Sequence, residues 1–197
     1  MHKDKVTGVI LAGGKATRMG GLDKGLVQIN GYPMIVLVMN ALQPQVSKIF
    51  VNANRNQETY GKFGHQVIAD DLDGFQGPLA GMAAAMKHAS TEFVFTCPCD
   101  GPMLPGNIVE RLHSELSRQH AEICVAHDGD RMQSVYALIN CRLQESLRTY
   151  LADGGRKIEN WYEKHALVQA DFSKTKNCFL NVNRQSDLAE VSAHLKI

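Results

Sequence analysis

The run Val6-Thr7-Gly8-Val9-Ile10-Leu11, followed at once by Ala12-Gly13-Gly14, constrains this chain more than any other feature. A continuous aliphatic and β-branched run suits a strand covered on both faces, the interior strand of a parallel sheet. The glycines that end it let the backbone approach a ligand and aim several N–H groups at it. The rest of the chain keeps the same rhythm. Residues 48–52, 66–69 and 92–97 are further short apolar runs and are predicted as strands. The segment after Pro33 carries Met34, Val38, Ala41 and Leu42 at helical spacing, and residues 78–89 are rich in Ala, Met and Leu. Residues 105–119 place Val109, Leu112 and Leu116 on one helical face. Strands are predicted at 121–126, 134–140 and 178–183, and helices at 143–151 and 186–195. This alternation predicts an α/β fold of three layers, a mostly parallel sheet with helices on both faces.

A chain of 197 residues with no repeat or linker is expected to form one domain, residues 1–197. With 21 Lys plus Arg against 20 Asp plus Glu, the net charge of +1 excludes a protein whose main task is to coat nucleic acid. A small phosphorylated ligand needs only a few local cations and stays open. No apolar run approaches the ~20 residues that span a bilayer, and residues 9–12 are too short for a secretory signal. The five cysteines are odd in number and contain no C-x-x-C. That pattern fits reduced thiols in a cytoplasmic protein better than disulfides or a zinc site. Neither a nucleic-acid nor a membrane partner is expected.

In an open parallel sheet, ligands sit beyond the carboxyl ends of the strands. That rule selects the loop after Leu11, then Asn52, the pair Asp70-Asp71, and Asp100. The loop runs Gly13-Gly14-Lys15-Ala16-Thr17-Arg18-Met19-Gly20-Gly21-Leu22-Asp23-Lys24. It holds no G-x-G pair and no G-K-[ST], so neither the dinucleotide fingerprint nor the ATPase phosphate loop is present. Arg18 offers a guanidinium fork for phosphate oxygens, and Lys24 a mobile point charge. From these residues alone, a turn carrying solvated cations is an equal reading.

The string L-A-G-G-x-x-x-R-M-G-G-x-D-K at residues 11–24 resembles the signature loop of the molybdenum cofactor guanylyltransferases, a branch of the sugar-nucleotide-type nucleotidyltransferases. The likeness continues in order through Asn52-Ala53-Asn54, Gly77-Pro78-Leu79-Ala80-Gly81-Met82, Cys97-Pro98-Cys99-Asp100 and Asn181-Val182-Asn183. The resemblance implies a Rossmann-like nucleotidyltransferase fold, with a nucleotide-binding amino-terminal half and an acceptor-binding carboxyl-terminal half. It implies transfer of GMP from GTP to the terminal phosphate of molybdenum-bound molybdopterin, with release of pyrophosphate and with Mg²⁺ as cofactor. Arg18, Lys24 and Asp100 are then the catalytic residues, and Asp100 the metal ligand. Leu11, Ala12, Gly13, Gly14, Lys24, Asn52, Asp70, Gly77, Pro78, Leu79 and Asp100 are implied to bind the nucleotide, the first three mostly through backbone groups. Handover contacts with a molybdenum insertion protein and with molybdoenzyme chaperones are implied at family level.

Several positions keep more than one reading. Residues 77–81 either approach a ligand at a helix start or serve close packing. Asn181 and Asn183, alternating on the predicted strand, either give a weak neutral metal ligand where related transferases can place a second carboxylate, or contact the acceptor, or form a hydrogen-bonded edge pair. Asp71 is expected to be a solvated turn residue, and Trp161 to be packing. The chain departs from the family pattern at Gly101, and at Met132-Gln133-Ser134, where a His-Pro pair is usual. The L-A-G-G form favours guanine over the L-A-A-G expected for cytidine transfer. Cytidylyl or sugar-phosphate transfer, or a non-catalytic nucleotide sensor, are the alternatives; a sensor could dispense with Lys24 or Asp100, and both are present.

Overall fold

The computed structural model describes residues 3–14, 23–71 and 77–195. Its elements, in chain order, are β1 (Val6–Leu11), a small hairpin of β2 (Gln28–Ile29) and β3 (Tyr32–Pro33), α1 (Met34–Leu42), β4 (Lys48–Asn52) and α2 (Gln57–Gly61). Then come β5 (Gln66–Ile68), α3 (Pro78–His88), β6 (Phe93–Pro98), α4 (Ile108–Arg118), β7 (Ile123–His127) and β8 (Met132–Asn140). The chain closes with α5 (Gln144–Ala152), α6 (Ile158–Tyr162), β9 (Leu167–Asp171) and α7 (Gln185–His194).

Alternation along β1 explains the layering. Val6 and Ile10 point to one face of the sheet and join α1, α2 and α4 through Ile35, Val38, Leu42, Tyr60 and Leu112. Val9 points to the other and joins α3, α5 and α6 through Leu79, Met82, Leu147 and Trp161. Gly8 lies where α1 comes closest, since a Cβ there would sit 2.8 Å from Leu42 Cδ2. A strand buried this way on both sides needs the unbroken apolar run that marks it in the sequence.

The strand order is β5-β4-β1-β6-β8-β7-β9. β5, β4, β1 and β6 run parallel, as do β7 and β9, while β8 is antiparallel to both of its neighbours. The chain builds outward from β1 through β4 to β5 and then returns to the opposite side of β1 as β6. The switch in direction therefore falls between β1 and β6, where a ligand crevice is expected.

The predicted strand at 178–183 does not form. Cys178 and Phe179 end a stretch of 3₁₀ turns, Ser173–Phe179, and residues 180–183 have no strand pairing. The reason is topological. Both edges of β6 are already taken, by β1 and β8, so the segment crosses the strand ends instead. There it is held by Val182 N–H donating to the Asp100 carbonyl at 2.9 Å. A third apolar cluster of Ile29, Met34, Val182 and Val191 seats it and α7 against the β2–β3 hairpin.

At the other end of the sheet a polar chain locks α5 to the start of β7. Trp161 Nε1–H donates to Ser146 Oγ at 3.2 Å, and Ser146 Oγ lies 2.9 Å from His165 Nε2. His165 Nδ1 faces Glu122 at 3.7 Å. Ser146 Oγ, accepting from Trp161, keeps a second lone pair and its own proton, so it can pair with Nε2 in either role. Burial holds the His165 pKa below its ordinary value, more than offsetting the opposing pull of Glu122. Above pH ~6.5 the folded and unfolded chains both carry a neutral ring and nothing is lost. Below that pH the unfolded chain takes up the proton first, so stability falls until the folded ring protonates as well. Burial lowers His65 and His113 in the same sense. The midpoint of thermal unfolding should therefore fall between pH 7.5 and 5.5, and fall less in His165→Gln, which calorimetry at the two pH values will measure.

Candidate active site

The backbone ladder continues one step past the strands and fixes the heights of their ends. Cys99 N–H donates to Leu11 O at 3.1 Å, Ala12 N–H to Asn52 O at 2.8 Å, and Ala53 N–H to Ile68 O at 2.9 Å. Side chains that follow β1, β4, β5 and β6 thus leave from one rigid edge. Two groups of polar residues stand on it.

The first lies over β4 and β5. Asn52 is 3% exposed, and its Nδ2 donates to Asp70 Oδ1 at 2.8 Å. Asn54 Nδ2 donates to Asp70 Oδ2 at 2.8 Å, while Asp70 N–H returns a bond to Asn54 Oδ1 at 2.8 Å. Asp70 therefore orients both amides, and each of its oxygens keeps a second lone pair for a ligand. The Asn52 amide is turned so that Oδ1 faces Gly13 and Gly81. A Cβ on Gly13 would lie 3.7 Å from it, and one on Gly81 only 2.2 Å.

That settles the role of Gly81 as close packing: α3 can pass over Asn52 only if residue 81 has no side chain. Gly77 is different, with φ of +80° where the chain turns into α3, and Pro78 takes the first helical position. The Leu79 side chain is fully buried against the sheet, so any part it takes in a ligand site is through its backbone. Asp71 pairs with Lys87 at 3.0 Å in solvent, as expected of a turn residue.

The second group lies over β1 and β6. Lys24 Nζ is 2.9 Å from Asp100 Oδ2 and 2.6 Å from Asn183 Oδ1. The Lys24 side chain is 26% exposed and that of Asp100 13%. Asn181 accepts from the Tyr136 hydroxyl at 3.4 Å. Although the strand at 178–183 is absent, both asparagines still face this cluster. Arg18 lies outside the described residues.

Lys24 is delivered by a set of residues that sequence reasoning missed. Asp23 is 5% exposed and accepts from Asn56 Nδ2 at 2.7 Å and from Arg55 Nη2 at 3.3 Å. The same Arg55 nitrogen donates to the Gly14 carbonyl at 2.9 Å. Arg55 thus joins the residue before positions 15–22 to the residue after them. A carboxylate this buried needs such partners, because an unpaired one costs several kcal/mol (roughly 3–5 when one partner of a buried pair is removed). Their signal was the arginine directly following Asn52-Ala53-Asn54.

The acidic loop between β7 and β8 lies at the same end of the sheet. Asp128 closes it by accepting from the N–H groups of Asp130 and Arg131, both at 2.8 Å. Gln133 braces it with a bond to Asp128 Oδ2 at 2.5 Å. Trp161 is fully buried, as packing requires.

Asp100 and Asn183 present hard oxygen donors, and a cation, the Lys24 ammonium, already sits on both. Among the described residues no group of three or more His, Cys, Asp or Glu side chains forms a metal cage. A single carboxylate with amide oxygens fits a divalent cation of the Mg²⁺ kind, which keeps several waters and shares its ligation with substrate phosphates.

Residues 8–169 match the family of MobA-like NTP transferase domains. A molybdenum cofactor guanylyltransferase of Shewanella sediminis is 46% identical over 188 residues, 95% of this chain and 96% of that protein. A protein of the same name from Shewanella halifaxensis is 46% identical over 195 residues, 98% of each chain. Among solved structures, molybdopterin-guanine dinucleotide biosynthesis protein A of Archaeoglobus fulgidus superposes with a TM-score of 0.78 at 22% identity, covering 96% of this chain and 100% of that one. The 4-diphosphocytidyl-2C-methyl-D-erythritol synthase of Anaerococcus prevotii superposes at 0.74 with 11% identity, over 99% of this chain and 97% of that one. These last two likenesses establish the sheet and its layers.

Three substitutions at two positions test the geometry. Gly81→Ala forces Asn52 off Asp70 and should weaken nucleotide binding about tenfold or more, an overpacking penalty of ~1–3 kcal/mol felt at the site, as titration calorimetry will measure. Arg55→Ala releases both Gly14 and Asp23 and should lower turnover by about tenfold or more through misplacement of Lys24. Arg55→Lys, which keeps the charge but is one atom shorter in reach, should recover only part of that loss in a steady-state assay.

Proposed function

The chain belongs to the molybdenum cofactor guanylyltransferases within the MobA-like NTP transferases, and on that premise we propose how its site works on GTP and molybdenum-bound molybdopterin. The enzyme transfers GMP to the terminal phosphate of the pterin. An oxygen of that phosphate forms a bond to the α-phosphorus of GTP, the bond to the β-phosphate oxygen breaks, and pyrophosphate leaves with the electron pair. Such a reaction asks the protein for alignment and charge neutralisation more than for covalent chemistry.

The observation that carries this reading is the position of Lys24 Nζ, in contact with both Asp100 and Asn183. One mobile cation stands between the loop that serves the nucleotide and the segment that serves the acceptor. Lys24 turns from Asp100 toward the phosphates and holds the charge that builds on the leaving group, with Arg18 as its partner. Asp100, with Asn183 beside it, is the ligand for Mg²⁺, which when bound neutralises phosphate charge. Asn52 and Asp70 present an amide and a carboxylate edge to the guanosine, and Leu11, Ala12 and Gly13 present backbone groups. Asn181 and Asn183 meet the acceptor.

Gly13 supports the choice of guanine. A methyl group there would stand 3.6 Å from Asn54 Nδ2 and 3.7 Å from Asn52 Oδ1, ordinary contact distances. The fold accepts the methyl, so its steric cost falls on a large base lying against the Asn52 and Asn54 amides. We further propose that the enzyme works in the cytoplasm, consistent with five cysteines that are all free thiols. It would receive its acceptor from a molybdenum insertion protein and pass its product to molybdoenzyme chaperones.

An anaerobic reaction with Mg²⁺, molybdenum-loaded pterin and each of GTP, CTP, ATP and UTP tests the reading. Dinucleotide and pyrophosphate should form with GTP alone; product with CTP instead would overturn the base assignment. Gly13→Ala should keep its unfolding temperature and lose about tenfold or more in preference for GTP over CTP, the scale of a lost close contact of ~1–3 kcal/mol. Asp100→Ala should lose turnover by about a hundredfold or more while GTP binding weakens far less, since a group that acts on the transition state affects kcat most. Normal turnover in that variant would remove Asp100 from the mechanism.

A further inference from the structure

Gly101 follows the site carboxylate and is buried, yet its backbone does not call for glycine, since its φ lies outside the left-handed region. Room calls for it. A Cβ at residue 101 would lie 2.0 Å from the Tyr136 hydroxyl oxygen, 3.3 Å from Tyr136 Cζ and 3.1 Å from Asn181 Oδ1. The space that a residue-101 side chain would fill is therefore occupied by a phenol from β8.

Tyr136 is 1% exposed and cannot itself meet a substrate. Its ring packs edge-on against Phe179 with centroids 4.9 Å apart, and its hydroxyl donates to Asn181 Oδ1 at 3.4 Å. Burial first, then the nearby Cys97 and Asp100, push its pKa well above the ordinary value, so the hydroxyl keeps its proton and remains a donor. Val182 N–H holds the Asp100 carbonyl at 2.9 Å. Residues 180–183, which cannot join the sheet, are therefore held at two points: to the Asp100 turn by the Val182 backbone bond, and to β8 by the Tyr136 hydroxyl.

We propose that Tyr136 is a positioning residue for the acceptor side of the site, its hydroxyl filling the place of a residue-101 side chain and setting Asn181 against the Asp100 turn, so that Gly101 and Tyr136 work as a matched pair. The part played by Asn181 rests on the proposed acceptor assignment; the pairing of 101 with 136 does not.

The test is a double-mutant cycle on the full chain with Gly101→Ala, Tyr136→Phe and both together. Removing the hydroxyl leaves Cζ at 3.3 Å, a contact that a ring can relieve by a small shift. Gly101→Ala alone should lower kcat/KM by about thirtyfold or more, and in the Tyr136→Phe background by only about threefold, because contacting residues are strongly non-additive. Tyr136→Phe alone should raise KM for the pterin about fivefold, the scale of one lost hydrogen bond, with KM for GTP unchanged. Equal damage from Gly101→Ala in both backgrounds, or none in either, would overturn the pairing. A rise in KM for GTP as large as that for the pterin in Tyr136→Phe would overturn the acceptor role. The unfolding temperatures of the same four proteins report on the pairing whatever the substrates are. The loss from Gly101→Ala should shrink when residue 136 is Phe, and a loss that persists unchanged would refute the pair even if the substrate assignment fails.

Discussion

The contact of the Lys24 ammonium with the Asp100 carboxylate and the Asn183 amide is the point on which the arrangement of the site depends. It joins residues 76 and 159 positions apart, from the ends of three different segments. Because both charged side chains are partly open to water, screening limits what the pair adds to stability. Its consequence is positional. A lysine is suited to this place because a flexible chain with a compact charge can satisfy a carboxylate in one state and a phosphate in another. An arginine, committed to a planar fork, would exchange partners less freely.

For a mobile lysine to be useful, its starting point must be fixed. Asp23 provides that by being buried one residue earlier, where Arg55 and Asn56 supply the hydrogen bonds that a buried carboxylate requires. Asn52, Asp70 and Asp100 are fixed differently, by ending or following strands whose ladder continues beyond their ends. The site therefore combines rigid acceptors on the sheet edge with a cation on a tethered loop. Donors and acceptors oriented before the substrate arrives need no reorganisation as charge develops, which is the main way proteins assist phosphoryl transfer.

The layers and most of the parallel strands were legible in the sequence because burial on both faces leaves an unbroken apolar run. α4 was legible for the complementary reason, with Val109, Leu112 and Leu116 buried on one stripe. β9 was not, since only Ala170 among its five residues is buried and an edge strand imposes little pattern. Residues 178–183 misled because alternation was genuine while no free edge of β6 remained to pair with. In the site, Asn52, Asp70 and Asp100 stood out as polar groups ending apolar strands. Asp23 and Arg55 did not, because a contact across 32 positions has no local period. The Leu79 side chain is packed in the core, which leaves only its backbone for a ligand.

Glycine shows most clearly where local reading stops. From sequence, a glycine suggests flexibility or access to phosphate. Gly8, Gly81 and Gly101 have neither a left-handed backbone nor open space around them; each marks a place where another element fills the position of the missing Cβ. Leu42 of α1 fills it at Gly8, the Asn52 amide at Gly81, and the Tyr136 phenol at Gly101. The first brings a helix onto the central strand, the second lets α3 pass over the Asn52 amide, and the third makes room for the phenol that bonds Asn181. Each is thus half of a tertiary contact whose other half lies tens of residues away. A change at one of these glycines should be judged against the side chain that occupies its space, since that partner decides whether the added methyl is absorbed or transmitted to the site.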